Sequence, residues 1–252
     1  MSLPVFLADL DAYLAGDTPV LPEIGAQFVL DGAEGKHAAT VKRLQVGEVL
    51  ILIDGCGAGV EARVEGVDKA ALALQVLARH EFPRPAVTVV QALPKAERSE
   101  LAVDLMTQGG VGTIVPWQAS RSIAKWANKA EKGRAKWRSA AVAAAKQSRR
   151  LSVPEIGQLA QSSADVVELI QQCRMAGGTA VMLHEEASVP FASVALAEPL
   201  LIIVGPEGGL APEEVEEFRA AGAAATVLGP EVLRTASAGL VALAAYGALR
   251  RW

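Results

Sequence analysis

A chain of 252 residues, 51% of them hydrophobic, can bury a full core in one large domain or two smaller ones. Its formal net charge of −4 argues weakly against a nucleic-acid partner, no uncharged run of about 18 apolar residues is present to cross a membrane, and three scattered histidines and two distant cysteines match no metal spacing. Aromatic residues make up only 4%, so the core is mainly Ala, Val and Leu.

The N-terminal stretch MSLPVFLADLDAYL has no basic flank and carries Asp9 and Asp11, so no signal peptide is expected. Cys56 and Cys173 read as reduced structural thiols of a cytoplasmic protein. From 26 to 80 the grammar is β. QFVLDG, EVLILIDG, GVEARVEGV and ALALQVLA are short strand-type segments separated by Gly, Asp and Lys, and Asp54-Gly55 is a hairpin or turn signal. Strands this short and regular suggest a small barrel. HAATVKRL at 37–44 interrupts them and reads as a helical turn. Phe82-Pro83-Arg84-Pro85 favours an extended linker, which divides the chain into domains 1–81 and 82–252.

Beyond the linker, strands and helices alternate. Strands are expected at 87–93, 113–117, 180–183, 200–204 and 225–228, and helices at 96–108, 129–147, 164–175, 212–221 and 236–249. This order implies an α/β domain with a parallel sheet covered on both faces. The helix from Pro212 has Pro in its first turn, Glu213 and Glu214 behind it, and Gly222 past its end. The stretch 117–150 carries ten Lys or Arg residues against one acid, Glu131, a local charge that the net value hides. It reads either as an RNA-facing surface or as a solvated basic helix. Trp117, Trp126 and Trp137 lie in or beside it and read as base-stacking or helix-packing residues.

Two Gly-Pro loops each follow a short apolar run: LLIIVGPEGGLAPEEVEEF from Leu200 and AATVLGPEVLRTASAGLVAL from Ala224. Ligands of open α/β sheets bind outside the carboxyl ends of strands, so the pair can wrap one small molecule. The first loop, Gly205-Pro206-Glu207-Gly208-Gly209, has neither the Lys-Ser/Thr of a P-loop nor the GxGxxG of a dinucleotide site, and Glu207 repels phosphate. Backbone groups at a rigid bend suit a neutral or cationic ligand with hydrogen-bonding edges, such as an adenine, a ribose diol or a sulfonium. In the second loop Arg234 reads as an anion contact or as an ion-pair partner of Glu207 or Glu231, and Thr235 or Ser237 as a helix cap. His184-Glu185-Glu186 follows another strand end; it permits acid–base chemistry but reads first as pocket lining or a turn cap. No GxSxG elbow or activated cysteine supports covalent catalysis.

GPEGGL at 205–210 and LGPEVLRT at 228–235 resemble the two signature loops of the RsmE family, the 16S rRNA (uridine-N3)-methyltransferases of the SPOUT class. The resemblance covers nearly the whole chain. GKHAATVKRLQVGE at 35–48 is similar to the family's N-terminal RNA-binding segment, through His37, Val41, Arg43 and Gly47. The stretch at 93–122 is similar to the first helix and second strand of its catalytic domain, and KQSRRLSVPEI at 146–156 to its Gln- and Arg-containing segment.

The resemblance implies a parallel sheet with helices on both faces whose C-terminal chain forms a trefoil knot, preceded by a small PUA-like β-barrel. It implies S-adenosyl-L-methionine as cofactor, held by Leu183, His184, Val204, Gly205, Pro206, Glu207, Gly208, Gly209, Leu228, Gly229, Val232, Leu233, Arg234 and Thr235. It further implies a homodimer acting on 16S rRNA or the assembled small ribosomal subunit, without metal or membrane. Arg43, Arg121, Arg149 and Arg150 are the expected RNA contacts, and Arg234 the catalytic candidate beside the base. The chain departs from the family at Leu105, where a Lys is usual, at Gln108, where a Glu is usual, and at Ala236-Ser237-Ala238, where Glu-Thr-Ala is commoner. Three other readings stay open: an RNA-binding assembly factor that keeps the fold and has lost catalysis, a SPOUT methyltransferase of another RNA, and an unrelated α/β enzyme using an adenine nucleotide.

Overall fold

The computed structural model describes residues 3–251, the side chains of Ala96 and Glu97 excepted. The chain forms two compact units: one holds the chain up to Arg84 together with Ala145–Pro154, the other Pro85–Ala144 together with the chain from Glu155 onward.

The first unit contains β1 (Val5–Leu7), α1 (Leu10–Ala15), β2 (Gln27–Leu30), α2 (Gly32–Lys36), β3 (Val49–Ile53), β4 (Ala58–Val67) and β5 (Leu72–Glu81). Its sheet runs β1-β3-β4-β5-β2, antiparallel except where β1 lies parallel to β3. The ladder does not close between β1 and β2 among the described residues, so the expected barrel is an open one. Alternation built it: Leu72, Leu74 and Val76 of β5 point inward onto Phe6, Leu50, Leu52, Val60 and Val64. The Asp54-Gly55 signal turns the chain as expected, because Asp54 Oδ1 accepts from the N–H groups of Cys56, Gly57 and Ala58 at 2.6, 2.9 and 3.0 Å. The segment 37–41 continues α2 as a wider π turn. The linker is ordered by Arg84, whose guanidinium donates to the carbonyls of Val153 (2.7 Å) and Gly55 (3.1 Å).

Ala145–Pro154 belongs to this unit for a chemical reason. Glu34 is 3% exposed, accepts from the N–H of Leu7 at 3.1 Å, and is ion-paired with the Lys146 ammonium. Burial, and then the Lys146 charge, hold the His37 imidazole below its ordinary pKa.

The second unit contains β6 (Val87–Ala92), α3 (Ala96–Gln108), β7 (Thr113–Trp117), α4 (Ala130–Gln147, whose last residues join the first unit), β8 (Glu155–Ile156), α5 (Ser163–Met175), β9 (Thr179–Leu183), β10 (Leu200–Val204), α6 (Pro212–Ala220), β11 (Ala224–Thr226) and α7 (Thr235–Tyr246). Every strand pair in the sheet β11-β9-β10-β6-β7-β8 is parallel. Near-continuous apolar strands are the mark of a sheet covered on both faces. Val90, Met182, Leu201 and Ile203 face α5 and α6 through Ile170, Val215 and Phe218. On the other face α3 packs against α7, where Met106 lies so close to Gly239 that a β-carbon there would stand 2.7 Å from its sulfur.

Part of the basic stretch is structural, while Lys125, Lys129, Lys132 and Lys136 are exposed. Arg134 is 9% exposed, donates to the carbonyls of Gly157 and Ile156 at 2.8 and 3.2 Å, and pairs with Glu131. Trp117 is buried edge-on against Phe218, and Trp137 is buried with its indole N–H on Ser99 Oγ at 2.7 Å, so neither is free to stack on a base. Trp126 is half-buried, edge-on to Trp137.

Removing one partner of a buried ion pair strands the other charge. Lys146→Met should therefore lower unfolding free energy by about 3–5 kcal/mol, and adding Glu34→Gln should recover much of the loss. Urea denaturation of the three proteins measures this.

Candidate cofactor site at the carboxyl edge of the parallel sheet

β9, β10 and β11 end at one edge of the sheet, at Leu183, Val204 and Thr226. The loops that follow enclose a cleft whose empty space, open mouth included, is about 590 Å³. The loop at 184–190 is stitched to the strand beside it: His184 N–H donates to Thr226 O (2.9 Å), Val227 N–H to Val189 O (3.0 Å), and Phe191 N–H to Val227 O (2.9 Å).

The first Gly-Pro loop is held from three sides. Gly209 takes a left-handed φ of +69° and donates its N–H to Pro206 O at 2.9 Å, a bend that favours glycine. Glu207 Oε1 accepts from the Lys95 N–H at 3.1 Å. The Arg121 guanidinium donates to the carbonyls of Gly208 and Leu210 at 3.3 and 3.2 Å. Behind the loop Glu214, 5% exposed, caps α6 by accepting from Ala211 N–H and also accepts from Ser120 N–H, both at 2.8 Å.

Of the expected cofactor residues, Leu183, His184, Val204, Gly205, Pro206, Gly209, Leu228, Val232, Leu233 and Thr235 line this cleft. Four do not. Glu207 and Arg234 line a second, adjoining cleft, Gly208 lies against Arg121, and Gly229 sits beside Glu231. Arg234 makes no ion pair with Glu207 or Glu231 among the described residues, and it occupies the N-cap position of α7 without a side-chain cap. Neither Thr235 nor Ser237 caps that helix: Thr235 begins it, and the Ser237 hydroxyl donates to Arg234 O at 3.1 Å. His184 Nδ1 accepts from Glu186 N–H at 3.2 Å.

Glu185, Leu210, Thr226, Val227, Glu231 and Ala238 also line the cleft and escaped the sequence reading. β11 ends at Thr226 rather than 228, which brings Thr226 and Val227 to the rim. Ala238 lies one turn beyond Thr235 on the same face of α7, a spacing the sequence did carry.

The expected RNA contacts separate. Arg43, Arg149 and Arg150 belong to the first unit, where Arg43 and Arg149 are exposed and take left-handed backbone with φ of 54° and 56°. Arg121, in the second unit, is engaged with the Gly-Pro loop.

The wall chemistry selects the ligand. Leu183, Val204, Leu228 and Leu233 offer apolar faces to a purine, and three strand ends offer backbone edges. Glu185 and Glu231 add negative charge, while no Lys or Arg lines the cleft among the described residues. An adenosine bearing a cationic sulfonium fits these groups; a di- or triphosphate does not.

A parallel α/β domain with such an edge site fits an enzyme of a nucleoside-type cofactor, and the comparisons show the class to be the RNA methyltransferases. Residues 80–247 match a family model described as an RNA methyltransferase domain, and 30–77 one described as an RNA methyltransferase PUA domain. The ribosomal RNA small subunit methyltransferase E of Mycobacterium tuberculosis is 45% identical over 92% of this chain and 90% of its own. The enzyme of that name from Neisseria gonorrhoeae, solved bound to S-adenosyl methionine, superposes with a TM-score of 0.81 at 23% identity over 98% of both chains. A Legionella pneumophila protein solved with bound cofactor SAM has a TM-score of 0.78 at 25% identity, again over 98% of both. The chain belongs to the ribosomal RNA small subunit methyltransferase E family.

Arg121 offers a direct test of its two readings. As a loop brace making two hydrogen bonds from a charged donor, it should cost about tenfold in S-adenosylmethionine affinity when changed to Ala, measured by calorimetry. RNA affinity at fixed salt should stay unchanged; a loss of RNA affinity with intact cofactor binding would return Arg121 to the RNA surface.

Proposed function

We propose that this protein methylates N3 of a specific uridine in 16S rRNA of the small ribosomal subunit. It is an S-adenosylmethionine-dependent rRNA methyltransferase; the uridine and its N3 are our reading. The observation that carries the reading is the pair of adjoining clefts at the sheet edge. One has apolar walls with Glu185 and Glu231, the other is lined by Lys95, Arg98 and Arg234 together with Glu185 and Glu207.

The cofactor supplies an electrophilic methyl group. The chain's own residues do the rest. The loops of the apolar cleft hold the donor and exclude water around it. In the cationic cleft Arg234 faces the acceptor base, where loss of the N3 proton leaves negative charge on the uracil ring. Aligned placement of the two partners supplies further rate. Because N3 lies on the pairing edge, the uridine enters unpaired or flipped out.

Arg43, Arg149 and Arg150 are the proposed phosphate contacts, with the segment before residue 82 as the RNA-binding domain and the remainder catalytic. The homodimer, the trefoil-knotted threading and the cytoplasmic location follow from the family reading.

Mass spectrometry of 16S rRNA nucleosides tests the proposal. A strain lacking the protein should lose 3-methyluridine, and purified protein with S-adenosylmethionine should restore it to small subunits or free rRNA. Unchanged 3-methyluridine, with the cofactor still bound, would favour the assembly-factor reading or another RNA.

A further inference from the structure

The two clefts share a wall, and one titratable side chain belongs to both. Pro206, Gly209, Val232, Leu233 and Thr235 line each of them, as does Glu185. The Glu185 carboxylate lies against the Gly-Pro loop: a β-carbon built on Gly209 would stand 3.4 Å from Oε1. Yet among the described residues Glu185 makes no hydrogen bond and no ion pair.

The other acids of the neighbourhood are placed differently. Glu207 spends one carboxylate oxygen on the Lys95 N–H and lines only the cationic cleft. Glu231 lines only the apolar cleft, as does His184, whose Nδ1 is already an acceptor for the Glu186 N–H. The cations show the same pattern. Lys95, Arg98 and Arg234 line one cleft and pair with no carboxylate among the described residues, although Glu185 and Glu207 line that cleft with them. Lys95, Glu185 and Arg234 are exposed and Arg98 partly so, which leaves all four open to a guest in that space.

We infer that Glu185 is the proton acceptor of the reaction and that Lys95 and Arg98, with Arg234, hold the uracil while it carries negative charge. This rests on the uridine-N3 reading above. In the step, the N3–H bond breaks and its proton passes to the Glu185 carboxylate. The N3 electron pair forms the new N–C bond to the methyl group. The electron pair of the broken C–S bond remains on sulfur, which becomes a neutral thioether. Position at the shared wall is what qualifies Glu185: a base there reaches the acceptor edge that faces the methyl donor, whereas Glu231 lies on the donor's side and Glu207 on the far one.

The test uses the full-length protein and small subunits or rRNA carrying the target uridine. Glu185→Gln should bind S-adenosylmethionine more weakly by calorimetry, since a charge lining the donor cleft is lost, while single-turnover methylation at saturating S-adenosylmethionine falls by about 10²–10⁴-fold. Glu185→Asp should retain part of the rate and an alkaline-rising pH limb that Gln abolishes. Replacing the target by 5-fluorouridine, whose N3 is more acidic, should rescue Gln more than wild type. A readout independent of turnover is the ¹⁹F shift of that base bound with S-adenosylhomocysteine. Its N3 should ionise at lower pH in wild type than in the free RNA, and Lys95→Ala with Arg98→Ala should move the transition back up. Wild-type turnover in Glu185→Gln, or a ¹⁹F titration indifferent to the two cations, would overturn the inference. A product other than 3-methyluridine would instead overturn the reading beneath it.

Discussion

The parallel register of β10 between β6 and β9 is the constraint on which the site depends. Leu200 to Ile203 sit opposite Val87 to Val90 on one side and Thr179 to Met182 on the other, so the three strands finish together at one edge. Parallel pairing sends the chain away from that edge by a crossover rather than a hairpin, and each departure leaves a loop with unspent backbone groups. β11, paired on the outer side of β9, adds another end. The ligand cleft is what these loops enclose. The loops are useful only because they are fixed, by ladder-like bonds between the 184–190 segment and Thr226–Val227 and by Arg121 and Lys95 on the first Gly-Pro bend.

Charge in this protein is sorted by partner rather than by total. The basic run that contradicts the acidic net charge contributes Arg134 to strand-end carbonyls, Lys146 to a buried carboxylate and Arg121 to a loop. Each settles a buried or loop-bound polar group that would otherwise be costly. The cations that remain unpaired at the cleft, Lys95 and Arg98, lie outside that run near the start of α3, where sequence density gave no hint of them. Local charge counts report steering fields; they do not say which charges are already engaged.

The architecture of the second unit was legible because each element obeys one period. Strands such as LLIIV are continuous apolar runs, and the helices between them carry their own punctuation. Two strands were missed, for different reasons. β8 has two residues and no pattern, and β1 lies in a short apolar run whose parallel partner, β3, begins more than forty residues away. The membership of Ala145–Pro154 in the first unit was equally invisible, since it depends on Lys146 meeting Glu34 across 112 positions. The loops GPEGG and LGPEVLR could be read as a site because their chemistry is local. Glu185 could not be ranked over Glu186 or Glu207, because what distinguishes it is the space it faces.

That space also bears on Ala236, where the family resemblance leads one to expect a Glu. Ala236 is 4% exposed and faces the packed side of α7, so an acid there is absent without leaving a gap in the cleft. A carboxylate is still required near the donor, because an apolar wall alone does not favour a cationic centre over a neutral one. Glu185 meets both needs from one position. With Glu185 as acceptor, its negative charge balances the sulfonium in the reactant complex; the proton then neutralises the carboxylate, the uracil anion takes over that balance, and methyl transfer leaves both partners neutral. The clefts then hold a thioether, a methylated base and a neutral acid. None of these retains the electrostatic hold that kept the reactants together, so the arrangement that favours the reaction also favours release of its products.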